Sequence, residues 1–249
     1  MCHDRGVCGR YTLTKTTGSQ LAARFSVADP ARFEQATLGR FNVCPTERIA
    51  VVCGEDGSRV VRTVRWGLVP PWARRLGAGP EPINARSETA AARRPFASLL
   101  PRADRRCLVL ADGWYEWLRT EHGRGDRVPF RYTVAGGAPF AFAGLWDTAR
   151  VGDERIASAT ILTTTANDVC APVHDRMPCV LDGPEAEAAW LSADATPADL
   201  AELIAPLPAA LTAAAPASPA VNRAGVEGAE LLDPAHQRPE PPAQLALGI

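Results

Sequence analysis

Alternation of apolar and polar positions dominates the chain. Tyr11-Thr12-Leu13-Thr14 changes side at every residue with β-forming types and predicts a short strand. Residues 48–53 and 59–66 predict two strands joined by the turn Glu55-Asp56-Gly57-Ser58. Arg106-Cys107-Leu108-Val109-Leu110, apolar after its first residue, reads as a buried strand that leads into Ala111-Asp112-Gly113-Trp114-Tyr115-Glu116-Trp117. Residues 130–134 and 140–146 predict a pair of strands around Gly136-Gly137, residues 156–165 a long strand, and residues 179–181 a short one. Helical spacing is rarer. It appears at residues 18–25, where Leu21, Arg24 and Phe25 are spaced for one face and Asp29-Pro30 stops the run. A helix opening at Ser87 is expected to run through Ala92, and another over residues 184–191 has Pro184 at its first position. Thr196-Pro197-Ala198-Asp199 has the capping-box pattern of a further helix start.

The remaining segments read as connections. Residues 41–46 are extended or loop, since Pro45 pushes Cys44 away from helical angles. Residues 66–73, with two tryptophans around one glycine and two prolines, form a rigid loop. Residues 119–127 read as a polar turn, and 205–220 are rich in Ala and Pro. Val221-Asn222 is either a last strand or a segment packed on the core, and residues 234–249 have the composition of a disordered tail. Strands outnumber helices and many connections are hairpin-like. The expected fold is α+β: a single domain whose mixed, mainly antiparallel sheet curls into a pseudo-barrel with flanking helices.

Composition narrows the setting. The 249 residues are 46% hydrophobic, which suits one large domain. No apolar run reaches the ~18 residues of a membrane helix, and the N-terminus lacks a signal-peptide layout. No membrane contact is expected, and the cytoplasm is the default. Seven cysteines, an odd number with no C-x-x-C pair, indicate neither a disulfide framework nor a zinc site. No phosphate loop or dinucleotide glycine motif is present, so no cofactor or metal is expected. The net charge of −1 hides a split. Residues 1–110 hold 18 basic and 9 acidic side chains; residues 111–249 hold 9 and 19. The asymmetry reads either as a basic face for an anionic partner, nucleic acid first, or as charge scattered over a solvated surface.

Chemistry concentrates around one cysteine. If Cys8 were a chain terminus it would carry an α-amine and a thiol on adjacent carbons. An aldehyde condenses with such an amine, and the thiol closes on the imine carbon to form a thiazolidine. An internal cysteine cannot, because its nitrogen is a delocalised amide. Lys15 is the only lysine, and a terminal amine, with a pKa near 7.7–8.0, is the better nucleophile at neutral pH. Three routes would expose Cys8: self-removal of a leader over residues 1–7, a separate protease, or translation starting at position 7 from a codon printed as Val7. The last is favoured. Cys2, exposed by loss of Met1, is a rival without a strand pattern behind it.

Other side chains admit two readings each. Glu116, set among aromatics, is either a carboxyl whose raised pKa suits a general acid or an exposed strand-edge residue. His174 is a base or proton shuttle, or a structural loop histidine. Asn84 and Arg86, two apart in an extended segment, share a face and suit phosphate or sugar recognition, or are ordinary surface residues. The Trp66–Trp72 loop, followed by Arg74-Arg75, is a plug over the core or a stacking platform for bases.

Six stretches in order resemble the SRAP family (SOS-response-associated peptidase), whose members attach covalently to abasic sites in single-stranded DNA. They are Cys8-Gly9-Arg10-Tyr11, Phe41-Asn42-Val43-Cys44-Pro45, Trp66-Gly67-Leu68-Val69-Pro70, Ile83-Asn84-Ala85-Arg86-Ser87-Glu88-Thr89, residues 107–117 and His174-Asp175-Arg176-Met177-Pro178. The resemblance implies a domain over residues 8–233 and a role for each matching position. Cys8 would be the N-terminal nucleophile. Glu116 would act as general acid/base, His174 would assist proton transfer, and Asn84 would orient the amine and the sugar. Arg10 and Arg86 would bind flanking phosphates. Trp72 and the Asn42–Pro45 loop would hold and stack the kinked strand, with Trp117 also among the DNA-contacting residues. It further implies a thiol-dependent autopeptidase limited to residues ahead of Cys8, lyase-type chemistry, and a monomer that joins the nucleoid when bound to damaged DNA. Members typically begin Met-Cys-Gly-Arg, so the seven residues before Cys8 are a departure. Two rivals remain: a cysteine hydrolase using Cys8 with His174, and a non-covalent single-strand-binding module.

Overall fold

A computed structural model of the chain describes residues 8–14, 17–119 and 127–233. In order, the elements are β1 (Arg10–Leu13), α1 (Gly18–Phe25), β2 (Arg40–Val43), β3 (Arg48–Glu55), β4 (Ser58–Trp66), β5 (Asn84–Arg86), α2 (Ser87–Ala90), β6 (Arg106–Ala111) and β7 (Gly113–Arg119). They continue with β8 (Arg127–Val134), β9 (Phe140–Val151), β10 (Glu154–Thr165), β11 (Arg176–Pro178), β12 (Val180–Leu181), α3 (Gly183–Leu191), α4 (Pro197–Leu203) and β13 (Thr212–Pro216). Lys15, the segment 120–126, the leader 1–7 and the tail 234–249 lie outside the described residues.

Five strands close into a ring in the order β10-β4-β3-β6-β9, with β9 returning to β10. Four of the contacts are antiparallel, so in a ring of five the last must be parallel. That contact is β4 to β10, through Ser158 opposite Arg65 and Ala159 opposite Trp66. β5 and β11 flank β10, and β12 flanks β9. A second, all-antiparallel sheet runs β13-β8-β7-β1-β2. The expected curled, mainly antiparallel barrel with helices is the observed one.

Both faces of the ring strands are covered. On one, Ala50, Val52, Leu108, Leu110 and Leu145 pack with Leu21 and Phe25 of α1 and Trp190 of α3. On the other, Val51, Trp66, Val109, Phe142 and Ile161 meet Tyr11, Trp114, Phe130 and Tyr132 from the second sheet. This explains why β6 reads as an unbroken apolar run after Arg106: all six of its residues are buried. Tyr11 meets Trp66 edge-on at 5.2 Å between ring centroids, and Trp114 stacks on Tyr132 at 5.2 Å.

Local signals acted as expected at several ends. Thr17 and Gln20 form a capping box at α1, and Thr196 and Asp199 do so at α4. The β3–β4 hairpin turns on Asp56-Gly57, both left-handed (φ 48° and 75°), which matches the twist of the strands.

Three expectations are corrected. β8 and β9 do not pair with each other. β8 lies between β7 and β13, while β9 joins the ring, and three successive left-handed residues (Ala135, Gly136 and Gly137) carry the chain between sheets. The Ala- and Pro-rich stretch holds a strand, β13, whose small side chains gave no alternation; of the two readings of Val221-Asn222 the packed segment is observed, as a 3-10 turn with Val221 buried against Tyr115. The helix at Ser87 ends at Ala90.

Candidate active site

The second sheet meets the ring around Cys8. β1 lies between β7 and β2, with Arg10 opposite Tyr115 and Tyr11 opposite Trp114. Cys8, just before β1, is therefore brought to β7, and its backbone nitrogen donates to Glu116 Oε1 at 2.5 Å. Glu116 is 3% exposed. Burial pushes its carboxyl up to about 8; the bond from the Cys8 nitrogen pulls it down, and the charge of Asp175 adds to the rise. Strand alternation decides the pocket. Trp114 shares Glu116's face, whereas Tyr115 and Trp117 turn to the opposite side and pack with Ala217 and Val221. The surroundings come from Cys8, Phe130, Tyr132 and Cys170, residues distant in sequence.

The Cys8 thiol is buried, and desolvation, then Glu116, then Cys170, hold its pKa well above the usual thiol range. The six described cysteines are all free. Cys8 also has φ 49°. This left-handed angle costs an L-residue roughly 1–2 kcal/mol through its clash with neighbouring carbonyls.

β1 is held from beneath by a residue the sequence reading passed over. Asp112 accepts from Thr12 Oγ1 (2.5 Å), Thr14 N (2.6 Å), Thr14 Oγ1 (2.7 Å) and Arg131 Nη2 (3.2 Å). Gly113 beside it must lack a side chain, since a Cβ would lie 2.8 Å from Arg131 Nε and from the Tyr132 carbonyl. The Asp-Gly pair between two predicted strands was the available signal, and it reads equally as a plain turn.

His174 is carried by the loop between β10 and β11. Its Nδ1 accepts from Arg176 N at 3.1 Å, which leaves Nε2 as the proton-bearing nitrogen of the neutral ring. Burial holds its pKa below the ordinary value, with Asp175 Oδ1, 3.0 Å from Nδ1, opposing that shift. Asn84 and Arg86 sit on β5 opposite Ile161 and Thr163 of β10; Asn84 is half-buried and Arg86 exposed. Arg176, also without an assigned role from sequence, clamps Glu88 through two hydrogen bonds (3.0 and 2.9 Å) and so ties the His174 loop to α2. Among the described residues no cluster of His, Cys, Asp and Glu is arranged for a metal.

The predicted DNA contacts separate into two groups. Trp72 is 55% exposed, and Pro45 and Trp117 are half-buried. Arg10 and Asn42, in contrast, are buried. Arg10 Nη1 donates to Asn42 Oδ1 (2.9 Å) and the Val221 carbonyl (2.6 Å). Asn42 Nδ2 donates to the carbonyls of Arg223 and Val226, both at 3.0 Å. In this arrangement both fasten the C-terminal segment to β1 and β2 rather than face solvent. Glu227 completes the fastening, accepting from Phe41 N (2.6 Å) and Arg40 Nε (2.7 Å).

A nitrogen, a thiol and a neutral-range carboxyl meet where β1 reaches β7, and Cys170, which interacts with both residues, ties in the loop that carries His174; these groups suit nucleophilic and acid–base chemistry. The sequence matches the SOS response associated peptidase (SRAP) family over residues 7–224, and the chain belongs to that family. It is 33% identical over 231 residues to the abasic site processing protein YoaM of Bacillus subtilis, covering 91% of this chain and 98% of that one. It is 31% identical over 232 residues to the abasic site processing protein YedK of Escherichia coli, covering 92% and 100%. A solved structure from Bacteroides thetaiotaomicron has the same fold, with a TM-score of 0.80 at 21% identity over 92% of this chain and all of that one. Another from Bordetella bronchiseptica superposes with a TM-score of 0.69 at 29% identity, covering 85% of this chain and all of that one.

Proposed function

We propose that this protein processes abasic sites in single-stranded DNA by capturing them covalently through Cys8 once that residue is N-terminal. One observation carries the reading: the Cys8 nitrogen lies 2.5 Å from a buried carboxyl whose pKa is about 8. In a chain beginning at Cys8 that nitrogen is an amine. It adds to the aldehyde carbon of the ring-opened sugar, giving a carbinolamine. Glu116, whose carboxyl is held above the ordinary range by burial, delivers a proton to the departing hydroxyl, and water leaves with formation of the imine. The Cys8 thiol then adds to the imine carbon while its proton passes to the nitrogen, closing the thiazolidine. The Nε2–H of His174 assists proton movement at the sugar, and Asn84 orients amine and sugar. Arg86 and Trp72 contact phosphate and base, with Pro45 and Trp117 beside the strand. Arg10 and Asn42 serve by holding β1 in place.

The names of the relatives support abasic sites as the substrate. The position of the family match supports exposure of Cys8, because it begins one residue before it. Peptidase activity is confined to the leader, by thiol attack on the preceding carbonyl and hydrolysis of the thioester. A cysteine hydrolase built on a Cys8–His174 pair is disfavoured. Such pairs lower the thiol pKa, whereas here it is raised, and no Cys8–His174 hydrogen bond is present among the described residues.

The test is intact mass before and after incubation with a single-stranded oligonucleotide bearing one abasic site. A chain starting at Cys8 that gains the oligonucleotide's mass less one water is expected. Salt-sensitive binding with no mass gain would replace this reading with a non-covalent single-strand binder. Cys8→Ser is expected to retain that binding and lose the stable adduct.

A further inference from the structure

The two acid–base groups of the proposed reaction stand on different sheets. Glu116 is on β7, whereas His174 is on the loop that leaves β10 of the ring. Their spacing depends on what joins the sheets at this end, and one side chain does so directly. Asn167, 9% exposed, opens the loop. Its Oδ1 accepts from Val169 N (3.2 Å) and Cys170 N (3.0 Å), and its backbone carbonyl accepts from Cys170 N (3.0 Å) and Ala171 N (2.9 Å). The Cys170 carbonyl in turn accepts from His174 N at 3.0 Å. The amide's other end points across the gap. Nδ2 donates to the Leu207 carbonyl (2.9 Å) and to Thr212 Oγ1 (3.0 Å). Thr212 is the first residue of β13, which pairs with β8, and β8 pairs with β7, placing Phe130 opposite Glu116. Asn167 thus uses two donors and two acceptor positions, the full capacity of a primary amide.

We infer that Asn167 is a positioning residue for His174: it staples the loop 167–175 to the second sheet and so fixes the imidazole relative to Cys8 and Glu116. Only glutamine carries the same set of donors and acceptors, and its extra methylene would shift them from these partners. Alanine meets none, and aspartate keeps the acceptors while setting a negative charge against the Leu207 carbonyl. A misplacement of about 1 Å at a reacting group can cost ~100-fold in rate, so the staple bears on catalysis without touching substrate. The consequence for activity rests on the proposed abasic-site chemistry; the consequence for His174 itself does not.

Asn167→Ala and Thr212→Val, each alone and combined with His174→Ala, test the inference through two readouts. One is the rate of adduct formation with the single-abasic-site oligonucleotide. The other is the titration of the His174 ring followed by NMR, in the field of Asp175, Arg119 and Arg176. Asn167→Ala is expected to slow adduct formation about tenfold or more and Thr212→Val a few-fold. Neither should slow a His174→Ala protein further, because groups acting as a unit are non-additive. The His174 titration should move up toward its ordinary value in both. Rate losses that multiply with that of His174→Ala, or an unmoved titration in a folded variant, would overturn the inference. Thr212→Val removes a single acceptor and carries the same test if Asn167→Ala does not fold. A wild-type protein that forms no adduct sinks the proposed function, while the titration still decides the role of Asn167.

Discussion

The site has a buried half and an open half, and they are built differently. Cys8, Glu116, Arg10, Asn42 and Asp112 are almost wholly enclosed, each on or beside a strand of the second sheet. Arg10 and Asn42 bond each other and the C-terminal segment, and Asp112 bonds Thr12, Thr14 and Arg131. Trp72 and Arg86 stand in solvent, one on a loop and one on a three-residue strand. The difference follows from the tasks. An acid that works near neutral pH needs desolvation and a fixed partner. Contact with a flexible polyanion needs exposed charge and an aromatic face. In the proposed reaction the enclosed half would supply the geometry and the open half access to the polymer.

Replacing Glu116 should produce the largest change. Glu116→Gln preserves shape and an acceptor for the Cys8 nitrogen but removes the proton donor, so adduct formation should slow about 10²–10⁴-fold, read by quenched-flow gels. An unchanged rate would remove Glu116 from the chemistry. Asp112→Ala comes next. It strands the Arg131 charge and leaves the Thr14 amide unpaired, for a loss of about 3–5 kcal/mol in denaturant unfolding. A small loss would mean that β1 is held by its strand pairing alone.

The same Glu116→Gln substitution should also stabilise the fold above neutral pH. A carboxyl raised to about 8 in the native state is protonated there while the unfolded chain has already released its proton. Stability therefore falls as pH rises from the ordinary carboxyl range through about 8. Glutamine abolishes that fall, so the variant should gain on the order of 2–4 kcal/mol over wild type at pH 8 and nothing near pH 4. Parallel stability–pH curves would mean that Glu116 is not desolvated in solution.

Effects in the open half should be smaller and of a different kind. Trp72→Ala should weaken binding to single-stranded oligonucleotides by about 1–3 kcal/mol, with the melting temperature unmoved. A lost melting transition would instead make Trp72 part of the core. Arg86→Gln should lower the slope of log K against log salt by about 0.7, one phosphate's share on single strands. An unchanged slope would place the phosphate elsewhere.

Much of this was legible before any coordinates. Periodicity and turn residues located β3, β4, β6, β10 and α1, because those signals are local: alternation, an Asp-Gly turn, a capping box. Side-chain chemistry and local context singled out Cys8, Glu116 and His174, and motif order gave each an expected role. Sequence could not place Arg10 and Asn42 in the interior, because their type suits solvent and only the C-terminal segment, about 180 residues away from Asn42, covers them. Nor could it see β13, whose alanines carry no pattern and which is a strand only because β8 offers it an edge. The sequence by itself determined which chemical groups the protein owns and that sheets would carry them. Tertiary structure alone decided that a carboxyl from β7 would meet the nitrogen of Cys8 out of water, since pKa depends on burial, and burial is a property of what the rest of the chain packs around the group.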